Sequence, residues 1–293
     1  FSGSAGTAVI TKTEARLWTD GRYFIQAAAQ LKGTTVELMK MGEPGVPEMN
    51  AYIEEVLKEG ETLGFDGRVV SVGEGEGYAA IAGKKNAKVN YQVDLIDEIW
   101  EDRPVLSEEP AFNLDVKYAG ETVASKLARI REEMKEAGTN VHVVSTIDDI
   151  CWTLNIRGND IDFFPLVLSY GIITMDSFEL YIDEKKLDDK LKAKLAKDGV
   201  NLHPYNDIYE DVKKFGSDVV AMIDPGKLNY ALFNNIPENV KTVEKRNPAI
   251  LMKAIKNPVE IENIRKAQIK DSVAHVRFMK WLKENVGKMR ITC

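Results

Sequence analysis

Short β-branched runs alternate with segments of helical periodicity almost from end to end, and that alternation leaves few architectures open. In the first set, residues 8–10 and 15–18 read as strands about a Lys12-Thr13-Glu14 turn, and Asp20-Gly21 ends the second. A helix over about 22–31 follows, and Gly33 offers the positive φ that helix exits favour. Residues 35–39 read as a strand. Pro44, Gly45 and Pro47 stiffen the next loop, and Pro47 suits the first turn of a helix over 48–58, with Gly60 beyond it. Strands over 63–66 and 88–91 flank a helix that ends near Gly83.

The second set opens where Val123, Leu127, Ile130 and Met134 recur at helical spacing before Gly138. A strand over 141–145 and a helix over 147–154 come next. Residues 166–174 and 178–182 then read as a hairpin about Met175-Asp176-Ser177. Leu187, Leu191 and Leu195 line one face of a lysine-rich helix whose charges face water. Residues 201–205, a helix to Phe215, a strand over 219–224 and a helix through Phe233 complete the set. Between the two sets, residues 101–110 are charged, proline-bearing and aperiodic, as a connection should be. The fold class expected is α/β: two consecutive domains, each a mixed or parallel sheet flanked by helices, then one long helix. The boundaries expected are 1–110, 111–247 and 248–293.

The last segment obeys a different rule. Asn257-Pro258-Val259-Glu260 has the form of a capping box with proline at the first helical position. Ile261, Ile264, Ala267, Ala274, Phe278 and Trp281 then make one apolar stripe. So much apolar face needs a partner, expected beyond residue 293. Composition narrows the function classes. With 39 basic against 46 acidic side chains the net charge is −7, which gives nucleic acid no basic footprint. No run reaches the ~18 consecutive apolar residues of a membrane span. Two cysteines, Cys151 and Cys293, cannot build a disulfide framework and point to a reducing, intracellular home.

Short catalytic signatures are missing from the sequence: no H-E-x-x-H, C-x-x-C, G-x-S-x-G or Ser-x-x-Lys occurs. His142 lies in an apolar strand and His275 in the last helix, where a structural role is the simpler reading. Gly73-Glu74-Gly75-Glu76-Gly77 lacks the spacing of a phosphate loop and carries two carboxylates that repel phosphate. Asp148-Asp149 opens a helix, where carboxylates favour the positive dipole end. Two clusters keep both a structural and a functional reading. In Trp18-Thr19-Asp20-Gly21-Arg22-Tyr23-Phe24, Asp20 is expected to cap the following helix and Gly21 to supply the turn conformation. The functional reading presents Arg22, among aromatic neighbours, to a carboxylate or a partner loop. In Asn155-Ile156-Arg157-Gly158-Asn159-Asp160-Ile161, Arg157 and Asp160 either fix a loop or face a cleft.

Those clusters carry a resemblance. Gly3-Ser4-Ala5-Gly6-Thr7, the 18–24 run with Gln26-Ala27, Leu38-Met39-Lys40-Met41-Gly42 and Asp97-Glu98-Ile99-Trp100 with Asp102-Arg103-Pro104 resemble the first domain of the Xaa-Pro aminopeptidase (aminopeptidase P) family. Asp148-Asp149-Ile150 with Trp152, the run from Leu154 to Asp160, Ser169-Tyr170 and His203-Pro204-Tyr205 are similar to its second domain. Lys253-Ala254, Lys256-Asn257, Ile269-Lys270-Asp271 and Trp281-Leu282 resemble the entry helix of its catalytic domain. The resemblance implies two creatinase-like α/β domains ahead of a "pita-bread" metallopeptidase domain that removes the N-terminal residue from peptides with proline second. It implies two divalent metal ions, manganese above all, held by carboxylates and histidine beyond residue 293, and a cytoplasmic homodimer. By itself this chain is then expected to be inactive. A leading strand and helix of the family pattern are absent before Phe1, and Phe163-Phe164-Pro165 stands where the family has Asn-Pro. Asp20, Arg22 and Tyr23 are the first candidates for the substrate cleft, with Arg157 and Asp160 behind them. The competing readings are a binding or scaffold module from a catalytically inactive relative, a prolidase or creatinase, and a small-ligand protein using a sheet crevice that nothing in the sequence marks.

Overall fold

β-Branched and aromatic residues set the strands of the first unit, Phe1–Glu101 in the computed structural model, which describes residues 1–291. Strand β1 (Thr7–Ile10) pairs antiparallel with β2 (Ala15–Thr19), Thr7 opposite Trp18. Helix α1 (Phe24–Leu31) carries the chain over to β3 (Val36–Lys40), which lies parallel to β2 with Trp18 opposite Met39. Helix α2 (Met49–Val56) follows, then β4 (Thr62–Gly64), α3 (Val72–Lys84) and β5 (Lys88–Asn90), the two strands forming a parallel pair. Pro47 lies two residues before α2, whose N-cap is Glu48, so it stiffens the approach instead of opening the helix. The Gly73–Gly77 run is helical: Ser71 and Glu74 close a capping box over the first turn of α3. One core of this unit gathers Trp18, Met39 and Tyr52, and another Ile53, Leu57, Tyr78 and Ile81. Trp18 is 1% exposed; burying an indole of ~200 Å² is worth roughly 4–6 kcal/mol before conformational entropy is counted.

The second unit, Asp102–Cys293, starts with β6 (Phe112–Asn113), α4 (Val116–Ala119) and α5 (Val123–Glu136). The helical spacing read from the sequence is the buried face of α5, on which Val123, Leu127, Ile130 and Met134 are all 2% exposed or less. Then come β7 (Val141–Val144), α6 (Ile147–Leu154), β8 (Ile156–Arg157), β9 (Tyr170–Thr174) and β10 (Phe178–Tyr181). Helix α7 (Asp189–Lys197), β11 (Val200–His203), α8 (Ile208–Asp211), β12 (Val220–Ile223) and α9 (Tyr230–Phe233) follow. The unit ends with β13 (Lys241–Glu244), α10 (Pro248–Ala254) and α11 (Pro258–Asn285). Six strands form one mixed sheet in the order β11-β10-β9-β7-β12-β13. Strand β9 runs antiparallel to both of its neighbours, as the expected hairpin requires, and the other three pairs are parallel.

Strand β13 and helix α10 were not marked by sequence periodicity, because four and seven residues are too few to establish one. The opposite holds for α11. Its N-cap Asn257 accepts from Glu260 N at 3.0 Å, Asn257 N donates to Glu260 at 2.9 Å, and proline sits at the first position. Asn257 also donates to Ala119 O at 2.8 Å, which ties the start of α11 to the end of α4. Beyond that tie the apolar stripe lies open, with Ile264, Phe278 and Trp281 between 42% and 52% exposed.

Candidate functional site

The 18–24 cluster is built by the way β2 ends. Trp18 points inward, where its Nε1 donates to Pro47 O at 2.8 Å and its ring lies 5.1 Å from that of Tyr52. Thr19 is also buried and donates to Ala5 O at 2.6 Å. The turn therefore leaves the sheet from a fixed base. Met41 N donates to Thr19 O at 3.0 Å, so the loop after β3 starts beside it, at the carboxyl ends of two parallel strands.

Asp20 does not cap α1, contrary to the sequence expectation. Its Oδ1 accepts from Arg22 N at 3.0 Å and Arg22 Nε at 2.9 Å, and its Oδ2 accepts from Arg22 Nη2 at 2.7 Å. The N-cap of α1 is Tyr23, which makes no side-chain cap bond, and Gly21 does not take a positive φ. The physical reason is competition: a guanidinium two residues on offers the carboxylate two charge-assisted donors, which outweigh the backbone N–H groups of a helix start. The Arg22 side-chain bond, then the Arg22 N–H, hold the Asp20 carboxyl down to about 2, and the same pair raises Arg22 above its usual value. Arg22 lies 5.2 Å over the Tyr23 ring, and the Tyr23 hydroxyl shares a hydrogen bond with Ser4. Asp20, Arg22 and Tyr23 thus form one assembly, and 68% of the Arg22 side chain still meets solvent. A guanidinium fixed on one side and open on the other is suited to a carboxylate.

Arg157 and Asp160 serve the second unit's interior. Arg157 donates to Cys151 O and Ile156 O, both at 2.8 Å, and its cation is disfavoured by burial. Asp160 is 1% exposed, paired at 2.5 Å with Lys186, itself 2% exposed, and accepts from Leu168 N at 2.7 Å. Asp160 therefore fixes the 158–168 loop, and Arg157 ties β8 back to α6. At its tip, Phe163 takes a φ of +67° and is fully exposed.

Two buried groups escaped the sequence reading. Lys126 is 1% exposed and donates to Trp152 O and Asn155 Oδ1, both at 2.7 Å, closing the end of α6 where Asn155 adopts φ +53°. Burial pulls its ammonium down to about 8, against the opposing pull of Glu121 and Glu260. Asp149, also 1% exposed, accepts from Thr146 at 2.6 Å, Lys253 at 2.7 Å and Asn247 at 2.9 Å, fastening α10 to α6. For Lys126 the signal was a charge three residues after Val123 and four before Ile130, on the face the helical period assigns to the core; α6 is buried from Asp149 to Leu154 and shows no such period.

His142 is buried between Met222 O at 3.1 Å and Asn247 Oδ1 at 3.3 Å, and burial pushes its pKa down. Burial pushes the Cys151 thiol up to about 11, which makes it a poor nucleophile. Cys293 lies outside the described residues. Among the described residues no group of three or more His, Cys, Asp or Glu side chains is placed to hold a metal ion. The donor set that a dinuclear centre needs is not met by these residues, so no step is assigned to a metal they hold. Among the described residues no helix is long and apolar enough to cross a membrane.

Sequence profiles of the creatinase/prolidase N-terminal domain match residues 1–99 and 102–260. The chain belongs to the creatinase/prolidase N-terminal domain family. It is 35% identical to aminopeptidase P2 of Arabidopsis thaliana, over 98% of this chain and 45% of that protein. It is 36% identical to Xaa-Pro aminopeptidase 1 of Dictyostelium discoideum, over 98% of this chain and 47% of that one. The crystal structure of the X-prolyl aminopeptidase of Caenorhabditis elegans, described as a cytosolic enzyme with a di-nuclear active site, superposes with a TM-score of 0.91 at 33% identity. That match covers 97% of this chain and 47% of the enzyme. The chain thus corresponds to the N-terminal portion of an aminopeptidase P and spans slightly less than half the length of these relatives.

Proposed function

We propose that this chain is the non-catalytic N-terminal portion of a metal-dependent Xaa-Pro aminopeptidase, a hydrolase that removes the N-terminal residue from short peptides with proline second. Its two α/β domains, placed at 1–110 and 111–247, wall the mouth of the active site, restrict entry to short peptides and contribute to a cytoplasmic homodimer. The segment 248–293 leads into the catalytic domain, which holds the two divalent ions, manganese in this reading.

The observation that carries the reading is the Arg22 assembly. A charged fork is oriented by Asp20 and flanked by Tyr23, and its free side is turned to solvent. In the full-length protein that free side meets a peptide carboxylate at the cleft. Arg157 and Asp160, the second candidates, serve within the second unit: Asp160 holds the 158–168 loop and Arg157 ties β8 to α6. The test is Arg22→Ala in the full-length protein, assayed on an Xaa-Pro-Xaa peptide. Loss of the guanidinium should lower kcat/KM by about tenfold or more, with Arg22→Lys recovering only part, because a point charge cannot replace a fork. An unchanged kcat/KM would remove Arg22 from the cleft.

A further inference from the structure

The two units repeat one topology. In the first, β1 turns back into β2, which lies parallel to β3; in the second, β9 turns back into β10, which lies parallel to β11. The registers agree: Ile10, Ala15 and Val36 stand side by side as Ile173, Phe178 and Val200 do. The hairpins also close alike. Thr11 N donates to Glu14 O at 2.8 Å and Thr11 Oγ1 accepts from Glu14 N at 3.0 Å. Thr174 N donates to Ser177 O at 3.1 Å and Thr174 Oγ1 accepts from Ser177 N at 2.9 Å. The parallel pair β4–β5 repeats β12–β13, Thr62 opposite Lys88 as Val220 is opposite Lys241. Asp66 and Asp224 then each accept from the N–H two residues on, and Ser71 and Asn229, each five residues after that aspartate, cap the next helix.

One strand breaks the correspondence. In the second unit β7 joins β9 to β12, antiparallel to the first and parallel to the second. Among the described residues nothing pairs with the outer edge of β1 or of β4, and the first unit holds two separate ladders, β1-β2-β3 and β4-β5. Both still cover one core, since Val9, Leu63 and Val89 pack against Ile53 of α2 and Tyr78 of α3. Bonded pairs alternate along an antiparallel ladder. With Thr11 tied to Glu14, Val9 bonds Arg16, and Ala8 and Ile10 turn their N–H and C=O groups to the open edge. Ile173, the counterpart of Ile10, is 2% exposed beside β7, whereas Ile10 is 72% exposed. No charge or proline within β1 blunts this edge. Residues 1–6 do not cover it either: Ser2 N donates to Gln30 of α1 at 3.0 Å and Ala5 O accepts from Thr19 of β2 at 2.6 Å.

We propose that β1 and β4 form a slot for one extended peptide supplied by another chain, running antiparallel to β1 and parallel to β4. The register of β7 sets the chemistry of that peptide. Val141 and Val143 share the face of Ile172, whose counterpart Val9 packs on the α2–α3 core, so alternate positions must be apolar and β-branched. His142 and Val144 share the face of Ile173, whose counterpart Ile10 meets solvent, so the positions between them accept polar side chains. Main-chain bonds to Ala8 and Ile10 supply affinity and the alternate side chains supply specificity, as in other strand additions. The slot is inferred from the repeat alone and stands apart from the peptidase reading.

The test adds the acetylated, amidated peptide Asn-Val-His-Val-Val-Ser-Thr, the sequence of residues 140–146, to the chain and follows amide hydrogen exchange by NMR. Binding should saturate with a Kd of about 1 mM or tighter. At saturation, exchange at Ala8 and Ile10 should slow about tenfold or more, while Val9, already bonded to Arg16, changes little. Methylating the main-chain nitrogen of the peptide's histidine, the position opposite Ile10, should weaken binding about tenfold and leaves the protein untouched. Ala8→Pro should do the same, because it removes a donor on the open side and spares the β1–β2 ladder. Binding that neither change weakens, protection that falls outside β1 and β4, or no saturable binding would overturn the proposal. A chain that self-associates and protects Ala8 and Ile10 without peptide would put a second copy on this edge and overturn it equally.

Discussion

Lys126 offers the most quantitative test of the second unit, because one buried cation closes the end of α6. Burial, the leading cause, moves its ammonium from an ordinary 10.5 to about 8 in the folded state. The sign follows from proton counting. Between about pH 8 and pH 10.5 the unfolded chain holds a proton that the folded chain has released, so stability rises with pH across that window. Below pH 8 both states are protonated and the full cost of the buried charge is present. Each pH unit inside the window is worth about 1.4 kcal/mol, so the gain between pH 7 and pH 10 comes to roughly 2–3 kcal/mol. Other titrating groups contribute too, but they cancel in a comparison with Lys126→Met, which has no charge to lose. The assay is urea unfolding of both proteins at several values from pH 7 to pH 10. Wild type should gain on the variant by roughly 2–3 kcal/mol over that span. Parallel stability curves, or a wild type that loses ground as pH rises, would refute the assignment of a depressed, buried ammonium.

Two further outcomes follow from buried contacts. Lys186→Met leaves Asp160 without its counter-charge and should cost about 3–5 kcal/mol, while the double variant with Asp160→Asn should cost clearly less than the sum of the singles; additive singles in a double-mutant cycle would mean that the pair does not couple. A Cβ on Gly171 would come within 2.6 Å of the Phe178 ring, so Gly171→Ala should cost about 1–3 kcal/mol in thermal or urea unfolding, and that added cost should vanish in a Phe178→Leu background if the ring is its cause.

The alternation of elements was legible because it rests on local rules. The capping box at Asn257, the α5 face from Val123 to Met134 and the hairpin about Asp176 all stand where period and turn chemistry placed them. Gly33, Gly60 and Gly138 hold the positive φ values that helix exits require. What stayed hidden depends on partners far along the chain. Lys186 reaches Asp160 from 26 residues away, and Lys253 reaches Asp149 from 104. No local pattern separates such a lysine from a solvated one. Asp20 departs from the expected cap for the same reason at short range: a cap preference describes the carboxylate alone, and the Arg22 guanidinium competes with the helix for it. Asp20, Arg22 and Tyr23 are brought together as one assembly, while Arg157 and Asp160 turned out to be ties of the second unit.

The central claim is that this chain shapes and does not perform the hydrolysis. It is tested by incubating the purified chain with an Xaa-Pro-Xaa peptide, with and without Mn²⁺, and following free N-terminal amino acid across the chromatographic fractions. No release tracking the chain is the result predicted, with activity found in the full-length protein. Mn²⁺-dependent release that co-elutes with the chain would contradict the account, since the reaction would then run on side chains assigned here to structure.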